Sequence, residues 1–189
     1  MRISCVLTAS ELQDPSADLI VFPERVAPEE IEKAQATHPE SIIVAAISED
    51  DHCRGILLSE GQNRIKYLKV GSDGYTKGIE DLDQNPVYEI GDTCIGVLIC
   101  MDVDCPGFSL KVKDRIRASS AGLKILCIPA YMEDSSWFPG DKINGFEGMH
   151  VILCNQDTHP IRCKSFITDT RETKIKVQEQ NEPIHVELR

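Results

Sequence analysis

Apolar residues in this chain fall into short, nearly continuous runs, each stopped by a proline, a glycine or a cluster of charge. Residues 18–24 (DLIVFPE), 41–47 (SIIVAAI), 94–99 (CIGVLI), 124–128 (KILCI) and 151–154 (VILC) read as buried strands. A weaker alternation at 3–7 predicts a short first strand, and 8–17, with its Gln, Asp, Pro and Ser, is loop chemistry. Residues 55–58 with 63–70 predict a hairpin or strand pair, and 87–90 leads through Gly91 and Asp92 into the cysteine-bearing strand as a second hairpin. His52, in the polar turn before the first of these, is expected to be exposed and inert.

Two stretches have the helical period instead. Residues 28–37 (PEEIEKAQAT) open on Pro and two acids, which suit the first turn of a helix. Residues 109–120 place Leu110, Val112 and Ile116 among basic residues and predict an amphipathic helix closed by Gly122. The tail at 165–168, 173–178 and 184–188 alternates as antiparallel strands with a polar turn at 181–183. Strands interleaved with helices make this an α/β chain, and 189 residues are expected to form a single domain.

The chemistry centres on Cys100. The run 95–99 ends at this thiol and gives way to Asp102, Asp104 and Pro106-Gly107, so a strand should stop at a turn and present the cysteine there. Ligands of α/β sheets gather beyond the carboxyl ends of strands, where such a thiol meets a substrate. The plainer reading is a small core residue, because free cysteines are among the most buried side chains. Glu24 also ends an apolar run, after Pro23, and residues 64–70 (RIKYLKV) carry Lys66 and Lys69.

Glu, Lys and Cys in this order, each at a predicted strand end, resemble the nitrilase superfamily, the carbon–nitrogen hydrolases. The motifs that carry the resemblance are VFPE around Glu24, ICMDVDCPGF around Cys100, GLKILCIPA at the following strand and FEGMHVILCN beyond it. It covers most of residues 18–155 and implies a layered sandwich of mixed β-sheets with outer helices. The chain departs from the family in two places. The segment between the first two strands is short, and where relatives carry a second Glu after the lysine only Ser72-Asp73 is present.

The resemblance further implies hydrolysis of a carbon–nitrogen bond in a small amide, nitrile or carbamoyl compound, without a cofactor, by a homodimer. Glu24 would be the base and Lys66 the oxyanion stabiliser, with Lys69 as the alternative lysine. Cys100 would form the thioester, assisted by the backbone N–H of Met101. Tyr131 and Trp137 fall on the loop that lines the substrate in relatives. An activated Cys100 is expected to ionise below the free-thiol value of about 8.5. A second reading is a catalytically silent member that serves as a binding or scaffolding module. A Cys–His pair with His150 or His159 ranks lower, since neither has an identifiable orienting partner.

Composition narrows the partners. A net charge of −11 argues against nucleic acid and anionic membrane surfaces, which need basic patches. No apolar run approaches a membrane span, and the start of the chain is too short and polar to read as a signal peptide, so a cytoplasmic protein is expected. The eight cysteines lie mostly inside apolar runs, as reduced core thiols do, and their spacing fits no structural zinc site.

Overall fold

The computed structural model describes residues 1–12, 15–71, 83–131, 148–156, 165–169, 174–178 and 184–188. They form two mixed six-stranded sheets. Strands β1 (Arg2–Cys5), β2 (Leu19–Glu24), β3 (Ile42–Glu49), β4 (His52–Ser59), β5 (Gln62–Leu68) and β12 (Ile184–Glu187) build the first, in the order β12-β1-β2-β3-β4-β5. Strands β6 (Val87–Ile90), β7 (Thr93–Val97), β8 (Leu123–Ala130), β9 (His150–Asn155), β10 (Ser165–Asp169) and β11 (Lys174–Gln178) build the second, in the order β11-β10-β9-β8-β7-β6. Each sheet has three parallel strands at its centre, β1-β2-β3 and β7-β8-β9, flanked by antiparallel ones.

The central strands of the two sheets face each other, with β2 against β8 and β9, and a shared core lies between them. Leu19 and Val21 point into that core, whereas Ile20 and Phe22 point outward to Ile31 and Ala34 of helix α1 (Pro28–Thr37). Both faces of β2 are therefore dry, which explains its unbroken apolar run. Helix α2 (Pro106–Ala118) covers the outer face of the second sheet, and Gly96 lets it come close: a Cβ there would stand 2.4 Å from Cδ1 of Ile116.

Three expectations are corrected. Helix α2 starts at Pro106, three residues before the expected start, because proline suits the first helical position, where no N–H is needed. Gly122 does not close it. The helix is capped at Ser119, and the Gly122 N–H instead meets Asp92 Oδ1 at 2.7 Å. The tail strands pair antiparallel as expected, though in different sheets: β10 and β11 extend the second sheet while β12 pairs with β1. His52 is half-buried as the first residue of β4 rather than exposed in a turn. No described helix is long and apolar enough to cross a membrane.

Candidate active site

Glu24 owes its direction to a local irregularity. Strand β2 pairs with β3 in regular parallel register up to Val21↔Val44, then slips so that Glu24 sits opposite Ala46. The extra residue falls at Phe22-Pro23, where Pro23 has no N–H to give the ladder. A one-residue slip reverses the face a side chain occupies, and here it turns Glu24 inward, to the face of Val44 and Ala46. Arg25 then takes a left-handed φ of 67° and donates its N–H to the Ala46 carbonyl at 2.7 Å. Glu24 is 1% exposed.

The lysine beside it is Lys69, not Lys66. On β5, Ile65 and Tyr67 face the core and Lys66, between them, faces solvent. Lys69 shares the parity of Ile65 and Tyr67, is 0% exposed, and its Nζ lies 2.7 Å from Glu24 Oε1. Its backbone N–H donates to the Cys53 carbonyl at 2.8 Å, which fixes the strand end against β4. A buried ion pair of this kind survives desolvation only when its geometry is good. The other oxygen, Glu24 Oε2, is buried with no hydrogen-bond partner among the described residues.

Cys100 opens a 3₁₀ turn, Cys100–Asp104, directly after the apolar run that follows β7. It adopts a left-handed φ of 44°, rare for a residue with a side chain and the kind of strain that collects at functional turns. The side chain is 2% exposed, and Sγ lies 3.8 Å from the backbone oxygen of Tyr131, at the end of β8. Glu24, Lys69, Cys100 and Tyr131 thus all sit at carboxyl ends of strands.

The electrostatics differ from the expectation of a low thiol pKa. Burial and then the Glu24 carboxylate push the Cys100 thiol up to about 12, and Lys69 and the Tyr131 carbonyl offset only part of this. The resting group is a thiol beside a carboxylate. Cys53, buried on β4 across from Lys69, is also pushed up by burial and by Glu24. It is a second site thiol that the sequence did not single out.

Asp102 is the other residue not assigned a role from sequence. Fully buried, its Oδ1 accepts from the N–H groups of Val70 (2.8 Å) and Gly71 (2.7 Å), and its Oδ2 from the Tyr67 O–H (3.0 Å) and the Ile99 N–H (3.2 Å). Burial raises its pKa to about 6 against the lowering effect of these donors. Sequence places it two residues after the cysteine, but three of its four donors lie 31–35 residues away.

Of the remaining candidates, Met101 is half-buried in the 3₁₀ turn, and Tyr131 is half-buried with the Arg25 guanidinium 5.1 Å from its ring centroid. Trp137, Asp73 and His159 lie outside the described residues. His150 starts β9 opposite Ile125, at the amino end of the parallel strands and so across the sheet from Cys100. That placement removes it as a partner for the thiol. Among the described residues no cluster suited to a metal ion occurs.

No family model and no curated protein matches the sequence. Solved structures do. An amidase of the nitrilase superfamily from Nesterenkonia AN1, in a cysteine-to-alanine mutant, aligns with 100% of this chain and 90% of its own at a TM-score of 0.71 and 16% identity. Nit3 of Saccharomyces cerevisiae, a member of branch 10 of the nitrilase superfamily, aligns with 98% of this chain and 89% of its own at 0.71 and 17%. XC1258 of Xanthomonas campestris, a CN-hydrolase superfamily protein with an arsenic adduct in its active site, aligns over the same shares at 0.66 and 16%. Two facing mixed sheets, with strand ends converging on a glutamate, a lysine and a cysteine, therefore have the fold of the nitrilase, or CN-hydrolase, superfamily along the full length of the chain.

Proposed function

We propose that the protein hydrolyses a non-peptide carbon–nitrogen bond in a small amide through a thioester on Cys100. The observation that carries this reading is the buried Lys69–Glu24 pair at 2.7 Å, whose second carboxylate oxygen has no hydrogen-bond partner among the described residues while the same carboxylate acts on the Cys100 thiol. A buried carboxylate with an unused oxygen is costly for a fold alone and useful for moving a proton.

In the first half-reaction the Cys100 thiol gives its proton to Glu24 as sulfur bonds to the amide carbon. The thiol's high pKa makes that transfer part of the attack, so no thiolate need accumulate beforehand. The carbonyl oxygen becomes an oxyanion facing the Lys69 ammonium and the Met101 backbone N–H. Collapse restores the carbonyl and breaks the carbon–nitrogen bond. The nitrogen leaves as ammonia or an amine with the proton held by Glu24. In the second half Glu24 takes a proton from water, the hydroxide adds to the thioester, and the acid departs as Cys100 recovers its proton. Lys69 holds Glu24 in place throughout and keeps its charge paired.

A related structure, a glutamate-to-glutamine mutant of the Nesterenkonia amidase, shows the result of Michael addition of acrylamide at the active-site cysteine. The same electrophile should find Cys100 here. Ammonia release from a panel of small aliphatic amides tests the function, with Cys100→Ala as the control. Release that depends on Cys100 supports it, and release unchanged in Cys100→Ala overturns it.

A further inference from the structure

We propose that Asp102 is a positioning residue for this reaction: its carboxylate ties the turn bearing Cys100 and Met101 to the strand end bearing Lys69, and so sets the spacing of the two oxyanion donors. The inference rests on the functional reading above and adds a residue to which that mechanism gives no part.

The four donors to Asp102 come from two segments. Tyr67, Val70 and Gly71 bracket Lys69 in sequence, and Ile99 immediately precedes Cys100. One carboxylate thus fills its acceptor sites from both sides of the site. The two segments also touch. A Cβ on Gly71 would stand 2.8 Å from the carbonyl carbon and oxygen of Met101, so only glycine allows the strand end to lie against the peptide that follows the proposed donor N–H. Tyr67 is itself held from behind, its ring 5.8 Å from that of Phe108 on α2.

A buried carboxylate is a poor choice if packing alone were required, because an apolar residue or an amide would avoid the desolvation. Asp102 does something neither can. It accepts four donors at once, whereas an asparagine turned to accept Val70 and Gly71 would aim its NH₂ at the Ile99 N–H. The titratable groups around it are Tyr67 on β5, Cys53 on β4 and Cys105 after the turn, with the Glu24–Lys69 pair beyond. Burial raises the pKa of Tyr67, Cys53 and Cys105, so all three remain neutral in mild acid.

Two reactions of Cys100 separate positioning from general support. Alkylation by iodoacetamide develops no oxyanion. Reversible addition of propionaldehyde does: sulfur bonds to the carbonyl carbon, the C=O becomes C–OH, and the thiol proton reaches that oxygen through Glu24. The experiment measures protection of Cys100 from iodoacetamide by propionaldehyde in wild type, Asp102→Asn and Tyr67→Phe, alongside kcat and KM for any amide turned over. Asp102→Asn should weaken aldehyde binding and lower kcat by about tenfold or more, with KM and the alkylation rate within about twofold. Tyr67→Phe should show a smaller loss of the same kind. In wild type, aldehyde affinity should fall as pH drops through about 6, and Asp102→Asn should lose that inflection.

Unchanged aldehyde affinity in both variants overturns the proposal, as does a parallel loss of alkylation and aldehyde binding, which is the mark of a structural role. Should Asp102→Asn fail to fold, Tyr67→Phe alone decides. A wild type that binds aldehyde through Asp102 but hydrolyses no amide would sink the functional reading and leave the positioning role standing.

Discussion

In the proposed reaction Cys100 passes its proton to Glu24, and the effect of the carboxylate on the thiol can be measured. Glu24 is the largest electrostatic cause of the raised thiol pKa, second only to burial, while Lys69 acts the other way. Glu24→Gln should therefore lower the Cys100 pKa from about 12 and increase the thiolate fraction, read from its ultraviolet absorbance against pH. It should also cut amide turnover by about a hundredfold or more, because the base is gone. A variant with a higher thiol pKa would contradict this assignment. The lysines separate as cleanly. Lys66→Ala, on the wet face of β5, should change neither activity nor stability by more than about 0.5 kcal/mol. Lys69→Ala strands the Glu24 carboxylate in the core and should cost about 3–5 kcal/mol by urea unfolding. Equal effects from both would contradict the orientation of this strand.

At the scale of elements, two irregularities build the site: the slip between β2 and β3 that turns Glu24 inward, and the left-handed residue that starts the turn after β7. Close packing of α2 over Gly96 anchors the far side of that turn. Gly96→Val would force Ile116 and Val112 aside and should destabilise the chain by about 1–3 kcal/mol in thermal or urea unfolding. A neutral outcome would show that the helix rides higher than described. Most elements were legible because strands dry on both faces leave continuous apolar runs and α1 leaves a proline and acids at its start. The wrong lysine was a missed parity. In RIKYLKV the core-facing set is Ile65, Tyr67 and Lys69, and the period of two that excludes Lys66 was there to read. Asp102 and Cys53 were less accessible. Their roles depend on long-range partners, Val70 and Gly71 for one and Glu24 for the other, which no local pattern reveals. The fate of β12 was equally non-local, since an alternating strand does not announce which sheet edge it will join.

Across the whole molecule, the site sets stability against function. Folding raises the Asp102 pKa from 3.8 to about 6, so the folded chain holds this proton more tightly than the unfolded one. The stability it contributes is complete below pH 3.8 and is lost as pH rises through about 6, a change of about 3 kcal/mol. The ionised form that disfavours folding is the one that accepts all four donors. Urea unfolding from about pH 4 to pH 7 should show the stability difference between wild type and Asp102→Asn moving by that amount in the variant's favour. A difference independent of pH would contradict the burial assigned to this carboxylate. Among the described residues, Glu24, Lys69 and Asp102 are the buried carboxylate and ammonium side chains, and all three lie at the same end of the sheets.

The central claim is that Cys100 carries an acyl group that Glu24 helps to form and to remove. Its most direct test is to mix the protein with p-nitrophenyl acetate, an activated ester that spares the need for the right amide, and locate any acetyl group by peptide mass spectrometry. Wild type should release p-nitrophenolate continuously with a transient acetyl thioester on Cys100. In Glu24→Gln that thioester should persist, because no base remains to activate water. Acetylation confined to other residues, or a Cys100 thioester that clears equally fast without Glu24, would contradict the account.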